Sequence, residues 1–327
     1  MSRFQKPIFT MLLALILLVL PAGSAAAEGQ NIAISGDNIT IGDLALRPDG
    51  KAGILYENGG LKLMIPLEYD ALVNTETPQD DEANMLFSVS EKASVEAAKA
   101  AGYEGDGTGW LFGIGRIDEE QLHHMLCYDM SGAEVFAKDA NGRYYVFYHP
   151  TDVRYMRENN EAMVRDQEQW TSLTQWAWND VRENFLAENQ ELTAETYGNS
   201  ELEIYLARIA YMPDTNYTIS TTEFGPIAPD PERFDATPFI EQLTQGATYA
   251  RDDSETPDGE YVVLSFPDEN VRFDFFLMEG KENYIRQVWS DFEMLYKADF
   301  DDDTVKASEI MQTWYNALAE AAGKAPA

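Results

Sequence analysis

Hydrophobic and polar positions along this chain change period several times, and each change marks an element. Gly53-Ile54-Leu55-Tyr56 and Leu61-Lys62-Leu63-Met64-Ile65-Pro66 flank Glu57-Asn58-Gly59-Gly60, whose Asn-Gly pair tolerates the positive φ of a tight turn. This predicts a hairpin. Met85 to Ser90 leads into an alanine-rich helix over 91–101 that stops at Gly102. Trp110 to Gly115 leads into a second helix over 118–128, opened by Asp118 three residues before Gln121 as in a capping box. The Leu-Phe-x-(Val/Ile) core shared by these two units is too short to establish a repeat. A second hairpin follows, Ala133 to Lys138 and Arg143 to His149 across Asp139-Ala140-Asn141-Gly142.

From about 158 to 190 the period becomes helical. Trp170, Leu173, Ala177, Val181 and Phe185 define one buried stripe, on which Trp178 falls and Trp176 does not. A helix over 200–211, a strand over 217–224 and a helix opening at Thr237 with Pro238 at its first position come next. Runs 261–266 and 271–278 predict a further hairpin. Ile285, Val288, Phe292 and Leu295 mark one closing helix, and Ile310, Met311, Trp314 and Leu318 the other. This order predicts an α+β fold: an antiparallel-rich mixed sheet with helices packed on it, plus a smaller C-terminal hairpin-and-helices part. The divisions read from the chain are a signal peptide over 1–27, a mobile segment over 28–50 with one edge strand at Asn38-Ile39-Thr40-Ile41, an α+β domain over 51–225, a proline-rich spacer over 226–236 and a C-terminal part over 237–327.

Residues 1–27 carry an address. Arg3 and Lys6 precede an apolar run from Ile8 to Leu20, then Pro21, Gly23 and the small residues Ser24-Ala25-Ala26-Ala27. That is a secretory signal peptide with cleavage expected after Ala27. A membrane span needs ~20 apolar residues, more than this run has, and no cysteine follows it to take a lipid anchor. The protein is therefore expected outside the cytoplasm, secreted or at the cell surface, with no membrane insertion after cleavage.

Composition narrows the partners. Loss of Arg3 and Lys6 leaves 21 basic against 57 acidic side chains, a net charge of −36. Such a field repels phosphate backbones and anionic head groups, which argues against nucleic-acid and peripheral membrane binding. It favours divalent cations and cationic partners. Cys127 is the single cysteine, so no intramolecular disulfide forms.

Candidate chemistry is sparse. His123 and Cys127 stand at i, i+4 on the second short helix, a spacing that presents two ligands to a metal; His124 lies beside them. The bland alternative is a packed cysteine and solvated histidines. Cys127 as nucleophile needs a depressed pKa, yet it lies near the end of its helix, where the dipole opposes a thiolate. Asp299, Asp301, Asp302 and Asp303 form an acidic cluster between the last two predicted helices. It suits a divalent cation such as calcium, but it lacks the glycine and terminal glutamate of an EF-hand loop. The competing role is ordinary, with Asp303 capping the helix that follows. No cofactor is predicted. His149-Pro150-Thr151-Asp152 follows a strand end, where polar groups often face a site. Trp110, Trp176, Tyr144, Tyr145, Tyr148 and Tyr155 are candidates for a sugar or peptide groove.

Leu86-Phe87-Ser88-Val89-Ser90-Glu91-Lys92-Ala93, Gly109-Trp110-Leu111-Phe112, Asp129 to Phe136 and His149 to Arg154 resemble segments of exported proteins from Gram-positive anaerobic bacteria, across roughly residues 50–225. The resemblance implies an exported bacterial context and carries neither an activity nor functional residues. Two functions stay open. One is a non-catalytic extracytoplasmic protein that binds a glycan, a peptide or a cationic partner. The other is a carboxylate- or metal-assisted hydrolase using His149, Asp152 and His123.

Overall fold

The structure, a computed structural model, describes residues 32–35, 38–41, 43–47, 50–78, 84–103, 105, 107–230, 233–290 and 292–324. The expected signal peptide lies outside these residues. Among them the chain forms three antiparallel sheets and seven helices, an α+β fold.

The first sheet is a meander of β1 (Ile32–Ser35), β2 (Asn38–Ile41), β3 (Leu44–Leu46), β4 (Ala52–Asn58) and β5 (Leu61–Pro66). β2 pairs with β1 on one side and β3 on the other, so the expected edge strand is an inner one. The β4–β5 hairpin turns where the Asn-Gly pair placed it, with Asn58 opposite Leu61. Leu61, Leu63 and Ile65 alternate inward from β5 and join the core of the second sheet.

After α1 (Leu67–Asp70) come β6 (Val73–Glu76), β7 (Met85–Glu91), α2 (Lys92–Ala101), β8 (Trp110–Ile117), α3 (Glu119–Leu126), β9 (Ala133–Lys138), β10 (Tyr144–Tyr148), α4 (Asn160–Glu188) and β11 (Thr193–Ala194). Their strands form the second sheet in the order β11-β9-β10-β8-β7-β6. α3 begins at Asp118 with the full capping box: Asp118 accepts from Gln121 N–H and Gln121 from Asp118 N–H. α4 lays Leu173, Ala177, Val181 and Phe185 on the two sheets, as its stripe predicts. The tryptophans reverse the expectation. Trp176 is buried between Tyr69 and Phe112, whereas Trp178 is exposed. The two flank Ala177 at about 100° to either side, so neighbouring elements decide which is covered.

α5 (Glu201–Tyr211), β12 (Thr218–Thr221), α6 (Thr237–Thr244), β13 (Ala247–Arg251), β14 (Tyr261–Phe266), β15 (Val271–Phe276), β16 (Tyr284–Val288), β17 (Glu293–Phe300) and α7 (Ala307–Ala321) complete the chain. The third sheet has the order β12-β14-β15-β16-β17-β13. The helix expected over Ile285 to Leu295 is instead the β16–β17 hairpin. On β16 the inward positions are Ile285 and Gln287, and the polarity of Gln287 hides the two-residue period. β13 has no counterpart in the sequence reading. Leu202, Leu206, Tyr217 and Ile219 pack with Phe273 and Trp314, so the core around this sheet already draws on residues before the spacer at 226–236. Fully buried Phe273, Phe275 and Trp314 dominate it, at ~1.5–3 kcal/mol for burying one large apolar side chain.

Candidate functional site

The open end of the β9–β10 hairpin builds a basin. Tyr148 pairs with Ala133, and one step outward His149 N–H donates to Gly132 O at 2.9 Å. Gly132 has φ 86°, and a Cβ there would meet His149 O at 2.9 Å and Thr151 Cγ2 at 3.1 Å, so only glycine closes this approach. The Asp129 carboxylate accepts Ser131 N–H at 2.8 Å and shapes the turn before it. α4 supplies the opposite wall. Trp178 is 45% exposed, and its ring lies 4.2 Å from that of His149, tilted by 49°. Glu134, Thr151, Asp152, Tyr197 and Asn199 complete an open basin of about 600 Å³.

His149 and Asp152, singled out in the sequence, therefore share one concavity. Both carboxylates of the basin are matched by arginines. Asp152 Oδ1 accepts from Arg154 Nε at 2.6 Å, and Glu134 pairs with Arg182. Arg182 also donates to the Trp178 carbonyl at 2.6 Å and lies over the Phe147 ring. His149 Nδ1 stands 3.3 Å from the Pro150 carbonyl.

A larger cleft of about 1100 Å³ adjoins the basin through Tyr197 and Asn199, which line both. Its walls carry Tyr211, Tyr249, Tyr296, Glu203, Asp299 and Asp301. Burial pushes the phenols of Tyr197, Tyr211, Tyr249 and Tyr296 upward, so all four are neutral. Glu203 closes a capping box on Ser200. Its carboxylate occupies the space a Cβ on Gly198 would need.

The remaining candidates are dispersed. His123 lies away from the basin, stacked on Tyr211 with centroids 3.8 Å apart and planes within 10°. His124 lies against Tyr128. Cys127 caps the C-terminus of α3 and is buried, and burial raises its thiol despite the opposing charge of Arg208. Among the described residues no three or more His, Cys, Asp and Glu side chains gather as a group that could hold a metal ion. Asp299 ends in β17, and Asp301, Asp302 and Asp303 form the loop after it. Asp302, not Asp303, does the local work, accepting Thr304 N–H and Oγ1–H at 2.9 and 2.7 Å, which holds its carboxyl below the usual range. α7 starts only after Lys306, and Asn283 Oδ1 takes the Ala307 N–H, so Asp303 is too far upstream to cap it. Of the proposed groove aromatics, Trp176, Tyr144 and Tyr145 are buried and Trp110, Tyr148 and Tyr155 half-buried.

Trp178 was missed as a site residue, as were Ser131, Gly132 and Asn199. Counting the β9–β10 pairing back from its turn would have placed Gly132 beside His149; nothing local points to Trp178 or Asn199. Comparison with protein-family profiles, curated proteins and solved structures finds no match for this chain.

Proposed function

We propose that this chain is an extracytoplasmic binding protein that holds its ligand without transforming it. The observation that carries this reading is the state of the candidate catalytic groups. General acid–base work needs a titrating group within ~2.6–3.2 Å of the proton it moves. In the basin the Asp152 and Glu134 carboxylates are engaged by Arg154 and Arg182, and the His149 ring faces Trp178. The Cys127 thiol is buried away from it. An aromatic wall with polar groups around an open concavity suits recognition. The address read from residues 1–27 supports a place outside the cytoplasm.

A thermal-shift screen of the mature chain against oligosaccharides, peptides and divalent metals tests this reading, with each hit recovered and checked for cleavage. The expected result is a raised melting temperature and an unchanged ligand. Steady turnover of a glycoside, ester or peptide, lost in His149→Ala or Asp152→Asn, would replace the reading with the carboxylate-assisted hydrolase. Fractionation is expected to find a chain beginning at Glu28 outside the cytoplasm; an uncleaved chain in the cytosol would overturn the location.

A further inference from the structure

We infer that the ligand of the basin is a neutral sugar chain, one pyranose ring lying flat on Trp178; this rests on the binding reading above and names its ligand class. Trp178 is the one exposed tryptophan of the six in the chain. At 45% exposure the indole presents flat apolar surface to water beyond its contact with the His149 ring, and a pyranose offers a matching apolar face of C–H groups. The platform is rigid. It projects from the middle of a 29-residue helix, and its ring is held against that of His149. Arg182, bound to the Trp178 carbonyl, fixes the next turn. A platform fixed before binding loses little freedom when the ligand arrives.

Charge selects a neutral ligand. The chain as a whole carries −34, yet in this basin Asp152 and Glu134 are each neutralised by an arginine. An anion would meet the repulsive field of the whole molecule, and a cation would find both carboxylates already matched. Hydroxyl groups suit such a rim, because each carboxylate keeps lone pairs and each guanidinium keeps N–H groups beyond its ion pair. Thr151 and Ser131 add hydroxyls. Asn199, whose Oδ1 accepts Met130 N–H at 3.3 Å, adds amide donors. A peptide adding itself as a strand would need a free sheet edge here. β11 covers β9 only at Ala137 and Lys138, so a peptide strand along the basin end of β9 is the competing ligand, and the peptide arm of the test decides against it or for it. The volume of about 600 Å³ falls inside the ~300–1,000 Å³ of small-ligand sites.

The test titrates the purified mature chain with cellotetraose, maltotetraose and chitotetraose, read by calorimetry and tryptophan emission. Tetralysine and polygalacturonate serve as charged competitors. At least one neutral tetrasaccharide is expected to bind saturably and shift the emission, with neither competitor displacing it. Trp178→Ala is expected to weaken that binding at least roughly tenfold, the loss of one aromatic stack, and Trp178→Phe to retain most of it. Thr151→Trp, on an exposed position, fills the basin and is expected to abolish binding, which keeps the test decisive should Trp178→Ala misfold. Sugar binding that survives both Trp178→Ala and Thr151→Trp would overturn the site. Displacement by tetralysine, or a screen in which only peptides or amines bind, would overturn the sugar and leave the binding reading standing. A tetrasaccharide bound at Trp178 and then cleaved would overturn the binding reading and uphold the ligand class.

Discussion

Glu91 and Asp274 are both fully buried carboxylates facing arginines, one in the second sheet and one in the third, yet their surroundings complete them to different degrees. Glu91 Oε1 accepts from Arg157 Nη2 at 2.7 Å and Gln169 Nε2 at 3.1 Å. Its Oε2 accepts from Arg157 Nη1 at 2.9 Å and Ser94 Oγ at 2.5 Å. Arg157 reaches on to Asp166 and the Met156 carbonyl, and its hydrogen bonds to Glu91 above all hold the guanidinium protonated. Asp274 Oδ2 accepts from Arg286 Nε at 2.7 Å. Its Oδ1 lies 3.2 Å from Arg272 Nε without hydrogen-bond geometry. Burial therefore wins at Asp274 and raises its carboxyl, against the pull of Arg286 and Arg272.

Desolvation weighs on both carboxylates; the difference is what the partners return, and where they come from. Arg286 sits directly across from Asp274 on the neighbouring strand, so that pair ties β15 to β16, which are already hydrogen-bonded. The Glu91 network ties the end of β7 to α2, to the segment before α4 and to α4 itself. That segment runs from His149 through Asp152 to Arg157, and so the network anchors one wall of the basin.

The sharpest way to break this contrast is to remove Glu91. Glu91→Ala strips the buried Arg157 guanidinium of its two-oxygen carboxylate partner, leaving Asp166, Ser94 and the Met156 carbonyl, and is expected to cost about 3–5 kcal/mol, measured by chemical denaturation. Ligand affinity in the basin is expected to fall with it as the 149–157 segment loosens. A cost below that of Asp274→Asn would show that the network is not the anchor its geometry describes.

Asp274→Asn is expected to cost less, about 1–2 kcal/mol, and its pH dependence carries the information. The folded carboxyl titrates above its ordinary value, so the folded state binds the proton more readily than the unfolded state does. Stability from this group is thus present at acid pH and is lost as pH rises from the ordinary carboxylate range near ~4 through the raised value. The melting temperature of the wild type minus that of Asp274→Asn should therefore fall between pH 4 and pH 7. A difference that grows with pH would place the carboxyl with the well-satisfied kind.

Arg208 tests the join between the two regions. From α5 it donates to the Cys127 carbonyl at 2.9 Å and to both oxygens of Glu269, at 2.9 and 2.7 Å. Glu269 is half exposed, so solvent screens the pair. Arg208→Ala is expected to cost about 1 kcal/mol, with the same loss in both regions if they unfold together. A loss confined to one region, read by tryptophan emission against far-UV signal, would show that they unfold separately.

The same contrast explains what was legible in the sequence. Where the pattern is local, it reads through: the β4–β5 and β9–β10 hairpins, the capping box at Asp118, and the stripe Leu173-Ala177-Val181-Phe185. It fails where a polar group turns inward. Gln287 replaces the apolar residue that would have shown β16 as a strand, and i, i+3 coincidences then read as a helix. The basin was half visible. His149 and Asp152 stand together in sequence after a strand end, whereas Trp178 and Asn199 arrive from elements folded back on it. The choice between Trp176 and Trp178 is set by Tyr69 and Phe112, which no local pattern around α4 reveals.

Ionic strength gives the smallest effect and separates the buried pairs from the surface. At 0.1 M salt charges are screened over ~10 Å of solvent, while buried pairs are screened far less. The excess of acids over bases is carried mostly by exposed side chains, and their mutual repulsion weakens as sodium chloride is added. The melting temperature should rise with salt, and the offsets caused by Glu91→Ala and Asp274→Asn should stay constant. Calcium at equal ionic strength is expected to add nothing, since Asp302 is already engaged by Thr304 and Asp301, Asp302 and Asp303 follow one another along a loop rather than converging. A calcium-specific rise that disappears in Asp301→Asn and Asp303→Asn would establish a cation site there. Offsets that shrink in salt would mean that water reaches Glu91 or Asp274. The variant whose offset shrinks more would then identify the less sealed pair, and its incomplete hydrogen bonding makes Asp274 the one expected to show it.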